Sequence, residues 1–384
     1  MKIKNRNINF NEPTLIGKEI KHIKNIFKKN YFQSNGSYSV KCEKLIKNIV
    51  NKKNILMTDS ATSALEMTAL AIRDFSKKQE IILPSYTFTT TASSFLKLGF
   101  SIKFADVDPD NMMINLENIK KLKTNYTKAV IVVHYGAFCI NLSKILKYCK
   151  NNNIYLIEDA AQAFGSKKNN NFYGTIGDFG CYSFHETKNI HSGLGGALYV
   201  KNKKDFQKCL QIRERGTNRN EVIKGLKKKY SWTQLGGSYA PTELQMAFLF
   251  PQLESYQSVI NKRKKIFNRY SEKLKLLLIK KFIYYPLLNK YYNSNYHAFW
   301  IRLNSEKSTN SLIKYMKKNN INLYIGYVPL HNSRVGRKFG LNNKLINTEK
   351  YSKLIIRLPL HNSLNIKMVD YICDYIYKFF YDHK

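Results

Sequence analysis

Lys188 is the residue around which chemistry can be built. It lies in Gly180-Cys181-Tyr182-Ser183-Phe184-His185-Glu186-Thr187-Lys188-Asn189, with a serine five residues before it and a glycine-rich run, 192–196, just after. Taken alone, a lysine in a chain with 64 Lys and Arg reads as a solvated surface charge. A second motif changes that reading. Ile157-Glu158-Asp159-Ala160-Ala161-Gln162 places an aspartate 29 residues ahead of the lysine. An amine able to form a Schiff base, with a carboxylate to pair with a pyridinium nitrogen, is what a pyridoxal phosphate (PLP) site requires.

The elements that must position these groups alternate. Short apolar runs at 81–83, 102–105, 129–133, 154–157 and 197–200 read as strands. Helical patterns at 89–98, from about 115, and around Leu142, Ile145, Leu146 and Cys149 lie between them. The run 129–133 is continuously apolar, as in a parallel strand buried on both faces. Strands alternating with helices imply an α/β fold, a mostly parallel sheet flanked by helices. Asp159 then sits at the carboxyl edge of that sheet, where open α/β folds bind ligands. A helix cap at the end of the strand is the alternative role for it. Upstream, Thr58-Asp59-Ser60-Ala61-Thr62-Ser63 leads into a helix whose N-terminus suits a phosphate, although ordinary N-capping needs the same residues. His134, after the strand, either approaches the ligand or is a structural histidine at the sheet edge.

An earlier helix is expected to bury Ile16, Ile20, Ile23 and Phe27 on one face. The segment 220–240, with Tyr230, Trp232 and Tyr239, reads as a long excursion rather than a core element. Pro241-Thr242-Glu243 opens a long helix patterned to about residue 278, and Pro251 should kink it, at a cost of about 3 kcal/mol. Beyond it, strands at 297–303, 322–327 and 354–358 and helices at 306–319 and 366–380 form a smaller α+β domain. The expected division is a large domain at 1–245 and a small domain at 246–384, bridged by the long helix.

Composition excludes other classes. The net charge of +38 invites a nucleic-acid reading. However, the lysines occur in nearly every segment and form no single arm or block, so a diffuse surface bias is the better account and no nucleic acid is expected as a partner. The six cysteines are far apart, with no CxxC spacing, which suggests free thiols and no metal site. Neither a leader-type apolar stretch nor a bilayer-spanning run is present, so the expected setting is cytoplasmic, away from membranes.

These motifs resemble the DegT/DnrJ/EryC1/StrS aminotransferases, PLP enzymes acting on nucleotide-linked keto-sugars. The resemblance runs from Phe10-Asn11 to the C-terminal helix. Its markers are Pro84-Ser85-Tyr86-Thr87-Phe88-Thr89, Glu158-Asp159-Ala160-Ala161-Gln162, Ser183-Phe184-His185-Glu186-Thr187-Lys188-Asn189 and Gly195-Gly196. It implies a type I aminotransferase fold and a homodimer with active sites shared between subunits. By position, Lys188 would carry PLP and Asp159 would pair with the pyridine nitrogen. Gln162 would lie near the ring hydroxyl, and Phe88 would stack on the ring. Ala61, Thr62 and Ser183 would hold the phosphate. Ser238 stands where many relatives place an asparagine that reaches the neighbouring subunit's phosphate, and Leu194 stands where a glutamate is common. His185 lies three residues before the lysine. In a related dehydratase branch a histidine replaces the lysine itself, so the presence of Lys188 points to transamination.

A further set, Arg215-Gly216-Thr217-Asn218-Arg219, Tyr230-Ser231-Trp232, Gly237-Ser238-Tyr239 and Arg357-Leu358-Pro359-Leu360, is similar to the branch that makes dTDP-4-amino-4,6-dideoxygalactose in the enterobacterial common antigen pathway. The expected reaction moves an amine from L-glutamate to carbon 4 of dTDP-4-keto-6-deoxyglucose by ping-pong kinetics.

Overall fold

A computed structural model describes residues 7–138, 140–288, 292–339 and 344–382. Strands β1 (Ile55–Thr58), β2 (Glu80–Pro84), β3 (Ser101–Ala105), β4 (Thr127–Val133) and β5 (Tyr155–Asp159) are followed by a two-residue-per-arm hairpin, β6 (Lys167–Lys168) and β7 (Asn171–Phe172). Then come β8 (Phe179–Ser183) and β9 (Gly196–Val200). Seven of these form one sheet in the order β1-β9-β8-β5-β4-β2-β3. Pairings from β3 through β8 are parallel, and β9 pairs antiparallel with both β8 and β1.

Alternation along the strands builds two cores. Ile82, Val130, Val132, Leu156 and Tyr182 face one layer of helices. Ile81, Leu83, Ala129, Ile131, Ile157 and Cys181 face the other. The continuous apolar runs follow from this, because both faces of the sheet are covered. The helices of this part are α1 (Glu19–Lys29), α2 (Ser37–Val50), α3 (Ala61–Ile72), α4 (Thr89–Leu96), α5 (Leu116–Leu122), α6 (Ser143–Asn151), α7 (Lys203–Arg213) and α8 (Arg219–Ile223).

Two expectations change. The first helix turns a different face inward. Glu19 and Ile26 are buried, whereas Ile20 and Phe27 are 69% and 63% exposed. The Glu19 carboxylate accepts from the Ile16 and Gly17 amides and from Gln252, so a polar anchor, not the apolar stripe, sets the rotation of α1. The long helix is three helices: α9 (Glu243–Glu254), α10 (Tyr256–Lys273) and α11 (Lys275–Ile279). Pro251 remains inside α9, and the break comes one turn later, at Ser255, whose amide donates to the Pro251 carbonyl. A Thr242–Gln245 capping box opens α9.

The chain then forms β10 (Tyr292–Asn293), which pairs with β6, and an antiparallel sheet of β11 (Phe299–Arg302), β12 (Tyr324–Ile325) and β13 (Ile355–Leu358), in the order β11-β13-β12. Its core includes Trp300, Ile301, Ile355, Ile356, Leu312 and Ile372. Helices α12 (Glu306–Lys318), α13 (Arg334–Phe339), α14 (Ile346–Tyr351) and α15 (Ile366–Asp382) complete this part. Cys42, Cys149, Cys181, Cys209 and Cys373 are buried free thiols, and Cys139 lies outside the described residues. Among the described residues no helix is long and apolar enough to cross a membrane.

Candidate active site

A cavity of about 970 Å³ opens at the carboxyl edge of the large sheet. Ala61, Thr62, Phe88, Asp159, Gln162, Ser183 and Lys188 all line it. Ser238 does not. It forms an isolated bridge with Glu214, and its hydroxyl accepts from Arg215.

Asp159 ends β5 and is buried. One carboxylate oxygen accepts from the Thr91 hydroxyl at 2.7 Å and the other from the Ala161 amide at 3.1 Å. Thr91, on α4, shares its hydroxyl with Thr87 at 2.9 Å. Neutral donors on both oxygens hold the carboxylate in place.

Lys188 sits on the loop joining β8 to β9. Bonds from the Phe184 amide to the Gly195 carbonyl, from Glu186 to Gly193 and from Ser192 to Phe184 stitch that loop. The side chain of Asn189 pins it to the Asn295 carbonyl, and His191 pins it to the Thr14 carbonyl. Burial, and then Arg357, push the Lys188 amine down to about 8, against the opposing pull of Asp159. A lysine near that value has a free amine available close to neutral pH.

The phosphate-sized end is backbone. Ser60 caps α3 by accepting from the Ser63 amide. The amides of Ala61 and Thr62, in the first helical turn, have no acceptor among the described residues. β9 presses against this turn: a Cβ on Gly196 would lie 2.4 Å from the Ser60 carbonyl carbon and 2.6 Å from the Ala61 nitrogen, so glycine is required there. Gln162 is oriented by the Gly136 amide on its oxygen and by the Tyr327 hydroxyl, to which its nitrogen donates at 2.8 Å. Phe88, at the N-cap position of α4, is 56% exposed and offers a free ring face.

The opposite wall comes from the small sheet and was not read from residue types. Asn189 donates to the Asn295 carbonyl through its nitrogen, so its oxygen faces His297 Nδ1 at 3.1 Å, and Nδ1 must donate. His297 Nε2 then carries the lone pair and accepts from Arg357 at 3.3 Å. Burial, Lys188, Arg357 and Arg263 hold His297 well below its ordinary pKa, in agreement with a neutral ring. The Arg357 guanidinium also lies 5.2 Å from the Phe10 ring, which stacks on Tyr324 at 5.0 Å. Among the described residues no carboxylate lies within ion-pair distance of Arg357.

His134 takes the structural of its two readings. It is fully buried, and its Nε2 meets Glu158 at 2.8 Å. Glu158 also accepts from the Gly174, Ile176 and Gly177 amides. Leu194 lies exposed at the cavity rim.

A strand-end carboxylate, a lysine on a pinned loop and an open helix N-terminus suit the three recognisable parts of PLP: ring nitrogen, aldehyde and phosphate. Fold and site together define an aminotransferase of the PLP type. The chain belongs to the DegT/DnrJ/EryC1/StrS aminotransferase family, whose model matches residues 13–377. It is 26% identical to the GDP-perosamine synthase of Vibrio cholerae over 96% of this chain and 98% of that one. It is also 26% identical to the dTDP-4-dehydro-2,3,6-trideoxy-D-glucose 4-aminotransferase of Saccharopolyspora spinosa, over 85% and 84%. The aminotransferase TlmJ of Streptoalloteichus hindustanus superposes with a TM-score of 0.89 at 22% identity, covering 99% of this chain and 100% of that one. PLP is the family's cofactor.

Proposed function

We propose that the protein transfers the amine of L-glutamate to carbon 4 of a nucleotide-linked 4-keto-6-deoxy sugar. The observation that carries this reading is the convergence of Lys188, Asp159 and the open α3 N-terminus on one cavity, opposite an arginine without a counter-ion.

Bound PLP supplies an electron sink for the carbanion formed when the donor's α-proton leaves. The chain supplies the rest. Asp159, fixed by Thr91 and Ala161, would pair with the ring nitrogen. The Ala61 and Thr62 amides and the Ser183 hydroxyl would hold the phosphate. Phe88 would stack on the ring, and Gln162 would lie near the ring hydroxyl. Lys188 Nζ would take the proton from the donor's α-carbon and later give it up, acting as base and then acid. Arg357 takes a carboxylate of glutamate, because its nearest polar neighbour is the neutral His297.

As the particular substrate we propose dTDP-4-keto-6-deoxy-D-glucose. The product would be dTDP-4-amino-4,6-dideoxy-D-galactose, an activated sugar of the kind used to build surface polysaccharides. The Vibrio cholerae relative favours a GDP-linked sugar as a second reading. Incubation of the purified protein with glutamate and each keto-sugar, with assignment of carbon 4 in the product, separates the two. Absence of turnover with both sugars would remove both particular substrates and leave the class intact. A gluco-configured product would remove only the particular sugar.

A homodimer is part of the proposal. Ile20, Phe27, Val40, Leu226, Tyr230 and Trp232 are large apolar side chains left exposed, as an interface with a second copy would require. Sedimentation of the purified protein as a monomer at micromolar concentration would refute it.

A further inference from the structure

Arg263, on α10, lies behind the cavity wall rather than in it. It is buried, and among the described residues no carboxylate stands within ion-pair distance. Burial, and then Arg357, push its guanidinium down to about 9. Leaving a buried cation without an anion is unfavourable unless its hydrogens are well used, and here they are. Nε donates to the Tyr296 carbonyl at 3.0 Å, and one terminal nitrogen donates to the carbonyls of His297 at 2.7 Å and Leu360 at 2.9 Å.

Those carbonyls lie on the two segments that carry His297 and Arg357. The β11–β13 ladder ends at the Phe299–Leu358 pair. Beyond that pair, the arginine fork joins 296–297 to 360. Two turns further along α10, the Tyr270 hydroxyl donates to the Pro359 carbonyl at 2.9 Å. The segment it holds is not relaxed. Tyr296 has φ +53°, a left-handed conformation that a bulky residue rarely adopts. Its amide is tied to the Ser294 hydroxyl and that of His297 to Asn295. The Arg263 fork adds the third and fourth ties, on the carbonyl side of the same turn.

We propose that Arg263 is a positioning residue for the amino-acid half-reaction: by fixing the left-handed turn at Tyr296 against Leu360, it sets His297 Nε2 where it accepts from Arg357 and so aims the guanidinium that takes the donor's carboxylate. This inference rests on the reading of Arg357 given above. A neutral side chain of similar size would fill the space but leave three buried carbonyls unpaired.

The test uses the holoenzyme with Arg263→Lys, Arg263→Met, Arg357→Gln and the Arg263→Lys/Arg357→Gln double variant. PLP retention is read by absorbance, and the half-reaction by bleaching of the yellow colour in a single turnover with L-glutamate. The expected result is a rise of tenfold or more in the glutamate concentration for half-maximal rate in both Arg263 variants, with PLP retention within twofold of the parent. In the Arg357→Gln background, Arg263→Lys should add no further change, since both act on one contact. Effects that multiply in the double variant, a uniform loss of PLP and rate that tracks a lower melting temperature, an unchanged glutamate dependence, or failure of both Arg263 single variants to fold would each overturn the positioning role. If Arg357→Gln alone leaves the glutamate dependence unchanged, the assigned function of Arg357 fails instead, and the inference falls with it.

Discussion

The wall that carries Lys188 and Asp159 and the wall that carries His297 and Arg357 hold their polar groups by different means. On the first, short ties at strand and helix ends, such as the Ala161 amide to Asp159 and the Ser63 amide to Ser60, are joined by longer ones, from Thr91 to Asp159 and from Asn189 to Asn295. On the second, short ties hold only the turn at Tyr296, and the contacts that reach His297 and Arg357 from elsewhere span large sequence distances, as with Asn189 to His297 and Arg263 to Leu360. The wall proposed to hold the cofactor thus mixes local and long-range ties, whereas the wall proposed to meet the exchanging substrates is reached from elsewhere through long-range ones. On those proposed roles, cofactor attachment and substrate choice should be separable by mutation.

The strongest way to break the first wall is Lys188→Ala. It removes the base, and the turnover rate should fall by about a thousandfold or more, with no internal aldimine formed when PLP is added. Asp159→Asn keeps an acceptor for Thr91 but removes the charge, and a drop of about a hundredfold in turnover with an unchanged melting temperature is expected. A third prediction concerns pH. The Lys188 amine, pushed down to about 8, must be neutral to capture PLP. Capture by the cofactor-free protein, followed by stopped-flow absorbance, should be flat above about pH 8 and fall roughly tenfold per unit below it. A midpoint near the ordinary lysine value would show that burial does not act on this amine. The sign for stability agrees with this. A lysine pKa lowered by folding means that the unfolded chain binds more protons between about 8 and 10.4, so the cofactor-free protein gains stability as pH rises through that window.

Breaking the second wall should have a narrower effect. Arg357→Gln should raise the KM for glutamate by about ten- to a hundredfold, the weight of one charge-assisted contact, with PLP retention unchanged. If PLP is lost as well, the two walls are not separable. The smallest expected effect returns to the first wall. Phe88→Ala removes one stacking face and should weaken PLP binding by about tenfold or less, measured by titration of the cofactor-free protein.

Most of the large sheet could be read from residues. Runs such as 129–133 are apolar on both alternating faces because helices cover both sides, so the pattern of burial and the pattern of sequence coincide. β1 escaped notice because its apolar run is only three residues long, and β8 because its five residues mix aromatic, small and polar types, so no periodicity accumulates. The rotation of α1 escaped because Glu19, an exposed type by composition, is buried by two local amides and by Gln252 from across the fold. Thr91 could have been suspected in the hydroxyl-rich run 87–91, but nothing in that run says which hydroxyl reaches Asp159.

By itself the sequence singled out Lys188, Asp159 and the α3 start as candidates, and the fold brings them to one cavity. These depend on where strands end and helices begin, and short-range pattern carries that information. Tertiary structure alone decided that Ser238 stands away from the cavity of its own chain and that His134 is bound to Glu158. It also decided that Arg357 faces Lys188's cavity with a neutral histidine behind it. Hydrogen bonds and burial at those positions join residues more than twenty apart, and one arginine among 64 cations carries no mark of its partners until the chain has folded.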